Sequence, residues 1–388
     1  MSKQPMEAYL DNSATTRPCG AAVQAVADAL TEGWHNPSAL YKPAMLAQKR
    51  MEQARETCLR AAGAAGERLI FTGSGTEADN LAILGLMRGV RKPARVLMLQ
   101  VEHPAVLACA EALTRMGHEV LEIPVDGQGL CDTGKLAELL NGETRLICVM
   151  QVNNETGAVQ PLEEIVSLRN RLAPEAAVHV DGVQGFLRVP LAFTRLGIQS
   201  YAFSGHKIHG PKGVGGLIVR RDLRLSPIIH GGGQEGGWRS GTENTPGIEG
   251  LAAAVAAFPG DGAARMRGLK LRLWSLLREA IPGVAVNGPD PEDPRSAPHI
   301  LNVSFPPVRS QTMLFALEGR GVYVSAGSAC ASHKQKTSRV LGAMGIGTGR
   351  ADSALRFSLS PMTTPEEIDW AAACCAEQYA VLSRYVRR

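Results

Sequence analysis

Between residues 68 and 181 short apolar runs alternate with amphipathic stretches of helical period. The runs predict strands at 68–71, 95–101, 119–124, 145–151 and 177–181, with helices at 76–90, 104–116, 133–140 and 162–172 between them. Another β-type run follows at 199–203. Strands separated by helices imply right-handed crossovers and a largely parallel sheet covered on both faces. Ahead of this region, residues 9–16 form a short strand and a polar turn. Pro18 opens a helix reaching about Trp34, Asn36-Pro37-Ser38 is a turn, and Pro43 opens a second helix to about Ala62.

The rhythm changes at Phe258-Pro259-Gly260-Asp261-Gly262, a natural boundary. Beyond it the pattern predicts a long helix at 264–280, a proline-rich loop at 289–298 and a strand at 299–305. A helix at 311–318, strands at 322–324 and 354–360, and a closing helix at 365–384 complete a smaller α+β unit. The expected division is a large domain of residues 16–258 and a small one made of 1–15 with 259–388.

Composition narrows the class. A chain of 388 residues can bury a large core. Its net charge of +4 is too small to argue for direct nucleic-acid contact. No apolar run has membrane-spanning length, and the first residues lack the apolar centre of a secretory signal, so a soluble cytoplasmic protein is expected. The eight cysteines are scattered, apart from Cys374-Cys375, and fit neither a disulfide framework nor a zinc spacing. No metal site is expected.

Candidate chemistry collects at the predicted carboxyl ends of strands, where open parallel sheets gather ligands. Ser204-Gly205-His206-Lys207 follows the 199–203 run, and a desolvated lysine amine there can condense with an aldehyde. Thr72-Gly73-Ser74-Gly75-Thr76-Glu77 opens a helix and can hold a phosphate on its N–H groups; without Lys-Ser/Thr it is not a Walker loop. His103 suits either a helix N-cap or an imidazole stacked on a flat ligand. Asn153-Asn154-Glu155 reads alone as an Asx-turn. Asp181, with Gln184 three residues on, suits either a helix start or a carboxylate paired with a protonated ring nitrogen. Phosphate cradle, stacking imidazole, carboxylate and imine-forming lysine are together what a pyridoxal 5'-phosphate (PLP) site requires.

With these residues in place, the chain resembles the class V aminotransferase-like enzymes, and within them the NifS/IscS-type cysteine desulfurases. The resemblance runs through Leu10-Asp-Asn-Ser-Ala-Thr-Thr16, Gly75-Thr-Glu77, Glu102-His103, Asn153-Asn-Glu155, His179-Val-Asp181 and Ser204-Gly-His-Lys207. It continues through His230-Gly-Gly-Gly-Gln-Glu235, Arg239-Ser-Gly-Thr-Glu-Asn244, Gly327-Ser-Ala-Cys330 and Leu355-Arg-Phe-Ser358. It implies the fold type I, aspartate aminotransferase-like architecture of PLP-dependent transferases, with a mostly parallel seven-stranded sheet and a smaller α+β domain. By position, Lys207 would bind the cofactor aldehyde, Asp181 the ring nitrogen and Gln184 the ring hydroxyl, while His103 would stack on the ring and move protons. Gly75, Thr76, Ser204 and His206 would hold the phosphate. Thr242 would reach the phosphate of a second subunit, making the active unit a homodimer. Asn154 and Arg356 would bind the substrate carboxylate. Ser13, Tyr41, Gln151 and the basic segment 333–336 depart from the usual pattern of that family.

Cys330 decides the reaction. It sits among small residues, Ser325 to Ser332, a composition that suits a mobile loop. His333, Lys334 and Lys336 would favour its thiolate. The resemblance implies that this thiolate takes sulfur from L-cysteine as a persulfide, leaving L-alanine. The sulfur would then pass to an acceptor protein, an iron–sulfur scaffold or a tRNA-thiolation protein. Other readings of the same fold are an aminotransferase or a selenocysteine lyase. A non-catalytic scaffold or regulator with a retained cofactor pocket is the reading from a different class.

Overall fold

A computed structural model describes residues 6–327 and 338–385 of the chain. Its strands are β1 (Ala8–Tyr9), β2 (Arg68–Thr72), β3 (Arg95–Leu99), β4 (Glu119–Ile123), β5 (Thr144–Met150) and β6 (Ala177–Asp181). They continue with β7 (Ser200–Ser204), β8 (Gly215–Val219), β9 (Ala285–Val286), β10 (Ile300–Ser304), β11 (Val322–Tyr323) and β12 (Ala354–Ser358). Seven of them form one sheet in the order β2-β8-β7-β6-β5-β3-β4. Every residue of β6, β7 and β8 is buried, as expected of strands with helices on both faces.

The sheet is parallel except at β8, which runs antiparallel to both β2 and β7. The sequence pattern did not mark β8, because its first residues are glycines, which are depleted in strands. Those glycines are required by close approach. A Cβ on Gly215 would lie 2.7 Å from the Phe203 carbonyl oxygen and 2.9 Å from the Ser74 carbonyl carbon. One on Gly216 would lie 2.5 Å from the Phe203 ring. Glycine here lets the strand pass directly beneath the Ser74–Gly75 turn.

A second body is built on an antiparallel sheet, β12-β10-β9, and on the parallel pair β1-β11. The helices Gly262–Ala280 and Pro365–Leu382 cover it. Pro365–Leu382 begins with a capping box: Thr364 accepts from the Glu367 N–H, and Glu367 reaches back to the Thr364 N–H at 2.7 Å. Ala8, Leu10, Leu273, Val303, Phe357 and Ile368 belong to its core, which is separate from the one under the large sheet. Val340, Leu341 and Met344 join the large core instead.

The opening turn ties the two bodies together. Asn12 donates to the Ser358 carbonyl at 2.9 Å, and the Ser13 N–H donates to Ser358 Oγ at 2.8 Å. A few residues on, the N–H and hydroxyl of Thr16 both donate to the His206 carbonyl, at 2.8 and 2.9 Å. The carbonyls between these anchors are thereby fixed beside Lys207.

Candidate active site

Strands β2, β6 and β7 end at one edge of the sheet, and β3 and β5 deliver His103 and Asn154 to it through short following segments. At the end of β7 the chain turns through the 3-10 element Gly205–Lys207. The Lys207 Nζ donates to the Ser13 carbonyl at 2.6 Å and the Ala14 carbonyl at 2.8 Å. No carboxylate pairs with it among the described residues. Burial first, then the positive charges of Arg356 and Arg188, lower this amine to about 8. Asp11 and Asp181 pull the other way. A carbonyl ligand reacts with the neutral amine, so uptake of PLP by the apo-protein should accelerate as pH rises through about 8. Stopped-flow absorbance across that range checks this. An amine with its ordinary value of 10.5 would show no such rise until a much higher pH.

Asp181 ends β6 and accepts the Val183 N–H at 2.9 Å. Burial raises its carboxyl, while His103, the Val183 N–H and Lys207 pull it back down. His103 caps the helix Pro104–Leu107, with Nδ1 accepting from the Ala105 N–H at 3.1 Å. That bond leaves the ring proton of the neutral tautomer on Nε2. Burial lowers His103, so it is a neutral imidazole near pH 7. The two sequence readings of His103, cap and ligand-facing ring, are therefore compatible.

Behind Asp181 lies a buried polar cluster that the sequence only partly indicated. His179 Nε2 meets Asp79 Oδ1 at 3.1 Å, and its Nδ1 meets Ser200 Oγ at 2.9 Å. Glu102 accepts from the Met150 N–H. Burial, with Asp181 nearby, pushes the carboxyls of Asp79 and Glu102 well above their usual range. Charge repulsion in this low-dielectric cluster favours concentrating negative charge on Asp181, the member beside Lys207 and His103.

The helix Gly75–Met87 begins beneath Ser204. Ser74 caps it by accepting the Glu77 N–H at 3.1 Å, and Glu77 accepts the Gly73 N–H at 2.9 Å. The N–H groups of Gly75 and Thr76 have no acceptor among the described residues. A Cβ on Gly75 would lie 2.5 Å from Val183 Cγ2 and 3.5 Å from Ser204 Cβ, so only glycine fits that turn. The result is two unspent N–H groups at a helix start, where an anion is favoured. His206 Nδ1 meets Thr15 Oγ1 at 3.1 Å, and burial lowers this imidazole to about 4, so it is neutral.

Arg356, on β12, is nearly buried. It donates to the Asn154 carbonyl at 2.9 Å and pairs with Asp11 Oδ1 at 2.7 Å. Asn153 makes the Asx-turn, its Oδ1 accepting the Glu155 and Thr156 N–H groups, both at 2.9 Å. The Asn154 side chain makes no hydrogen bond among the described residues and is left for a ligand. Gln184 donates to the Ser13 carbonyl at 3.0 Å and accepts from Arg188 at 2.9 Å. Arg188 went unread in the sequence. Its only signal was a charge inside the apolar stretch 186–190.

Thr242 is exposed, on the same loop as Arg239, which pairs with Glu77 at 2.8 Å. Cys330, with His333, Lys334 and Lys336, lies outside the described residues. Its flanks do not. The Ser325 N–H and carbonyl pair with Arg356 at 3.2 and 2.8 Å, and Ser338 donates to Glu155 at 2.5 Å. The donor set therefore matches the ring-and-phosphate ligand expected from the sequence. It offers one amine on uncharged acceptors, one buried carboxylate, one neutral imidazole and two N–H groups without an acceptor among the described residues.

Comparison with known proteins agrees with this fold. The family model "Aminotransferase class-V" matches residues 8–370. A cysteine desulfurase of Trichormus azollae is 38% identical over 365 residues, covering 93% of this chain and 90% of that protein. The structure of a NifS-like protein superposes with a TM-score of 0.88 at 33% identity, covering 98% of this chain and all of the other. A structure described as SspA in complex with cysteine is 30% identical, with a TM-score of 0.81 and coverage of 92% and 100%.

Proposed function

The chain belongs to the class-V aminotransferase family, among its cysteine desulfurases, and from that premise we propose that it converts L-cysteine to L-alanine using PLP. The observation that carries this reading is the half-buried Lys207 amine, which among the described residues rests only on two main-chain carbonyls, between the Asp181 carboxylate and the Arg356 guanidinium.

Lys207 would hold the cofactor through its aldehyde, Asp181 its ring nitrogen, Gln184 its ring oxygen, and His103 its ring face. The Gly75 and Thr76 N–H groups, with Ser204 and His206, would take its phosphate. Bound there, PLP supplies an electron sink that acidifies the Cα–H of an attached amino acid. Arg356 and Asn154 orient the substrate by its carboxylate, a task suited to a planar guanidinium. The Lys207 amine, freed by the substrate, removes the Cα proton and can return it. The Cys330 thiolate then attacks the substrate sulfur. The new S–S bond uses the thiolate's electron pair, the Cβ–S pair stays with carbon, and protonation there yields L-alanine. No external oxidant is needed.

The persulfide would pass to a sulfur-acceptor protein, in iron–sulfur cluster assembly or tRNA thiolation. A homodimer is supported by exposed Trp34, Leu40, Tyr41, Met45 and Leu46 on neighbouring segments, and by the exposed Thr242. The proposed domain division, 16–258 against 1–15 with 259–388, is supported by the two separate cores, with residues 340–344 packing across it. Among the described residues, seven buried free thiols support a reducing, cytoplasmic setting, and no helix is long and apolar enough to cross a membrane. Incubating the PLP-loaded protein with L-cysteine and a reductant tests the proposal. L-alanine and sulfide should appear in equal amounts. Amino transfer to a keto acid without sulfide would identify an aminotransferase instead.

A further inference from the structure

Arg188 is 1% exposed and sits in the apolar stretch 186–190. Among the described residues its side-chain nitrogens meet no carboxylate. Nη1 donates to Gln184 Oε1 at 2.9 Å, Nη2 donates to the Lys207 carbonyl, and Nε has no partner. A buried guanidinium without an acid is costly, and an apolar side chain of that volume would pack there at less cost. Both of its partners belong to the proposed cofactor site.

We infer that Arg188 is a positioning residue, which fixes the Gln184 amide with its NH2 group toward the cofactor and holds the main chain carrying the Lys207 amine. The inference rests on the PLP reading above and deepens it. An amide can sit either way round, and its neighbours decide which. Arg188 can only donate, so Gln184 Oε1 must face it. The Ser13 carbonyl can only accept, and it takes one N–H of Gln184 at 3.0 Å. The second N–H is left for the ring oxygen of the ligand. If the amide flipped, an oxygen would face that oxygen and repel it. A donor there, with a nearby cation, stabilises an anionic ring oxygen and loosens the proton it shares with the Lys207 nitrogen.

The charged neighbourhood is specific. Lys207 is faced by Arg188 and Arg356 and, with opposite sign, by Asp11 and Asp181. His103 and His206 also feel its charge, and burial keeps both neutral. On the far side Arg188 acts on His209 and His299, which burial also lowers. Among the described residues Arg188 is thus one of two cations whose loss would be felt at position 207.

The test compares PLP-loaded wild type, Arg188→Met, Arg188→Lys and Gln184→Glu, reading the pH midpoint of the bound cofactor's absorbance change beside PLP retention on dialysis. Arg188→Met should move the midpoint up by about one pH unit or more. Arg188→Lys keeps the charge but not the fork, so it should recover part of that shift. Gln184→Glu keeps a partner for Arg188 but offers no N–H, and it should also move the midpoint up. Unshifted midpoints in folded Arg188→Met and Gln184→Glu would overturn the inference, even if melting temperatures fell. Should Arg188→Met fail to fold, Arg188→Lys decides: a midpoint at the wild-type value would overturn the inference. Wild type that takes up no PLP would instead remove the functional reading beneath it.

Discussion

Lys207→Ala should lower L-alanine formation by on the order of 10²–10⁴-fold or more while leaving the protein folded. Among the described residues the amine's hydrogen bonds go to two main-chain carbonyls, so its removal breaks no ion pair. The Gly75 and Thr76 N–H groups and Asp181 remain, and PLP should still bind without a covalent link. What disappears is the base at Cα. Exchange of the L-cysteine Cα proton with deuterium from solvent, followed by NMR, should therefore fall in step with turnover. A variant that kept exchanging at the wild-type rate would move the base to another residue, with His103 first in line.

Cys330→Ser should give the opposite split. Sulfide and L-alanine should fall by on the order of 10³-fold or more, as for loss of other enzymic nucleophiles, while Cα exchange continues. The other seven cysteines are poor substitutes. All are buried, and burial pushes Cys58 and Cys131 to about 12 and Cys109 to about 11. The flanks of the 328–337 stretch are anchored beside the residues proposed to bind substrate, through Ser325 to the Arg356 main chain and through Ser338 to Glu155. Retained sulfide release would assign the acceptor thiol elsewhere.

Much of this was readable from the chain. The strand–helix alternation gave the parallel part of the sheet because strands covered on both faces read as near-continuous apolar runs, as β3 and β5 do. Lys207, Asp181, His103 and Asn154 stood out because polar residues directly after such runs arrive at one edge of the sheet. β8 and the helix Thr245–Ala257 were not read. The first hides behind glycines that serve close packing, and the second follows a polar loop and is rich in small residues. Asp79 and Arg188 were also missed. Asp79 lies in the helix Gly75–Met87 and Arg188 in a turn of the apolar stretch 186–190, and the meaning of each comes from partners about a hundred positions away in one case and nineteen in the other. Proximity of that kind is a product of the fold and leaves no local pattern.

The central claim concerns one nitrogen. Purified protein loaded with PLP, reduced with borohydride and digested, should yield a single peptide bearing a pyridoxyl group on Lys207. A label on another lysine, or none on a protein that has taken up the cofactor, would contradict the account.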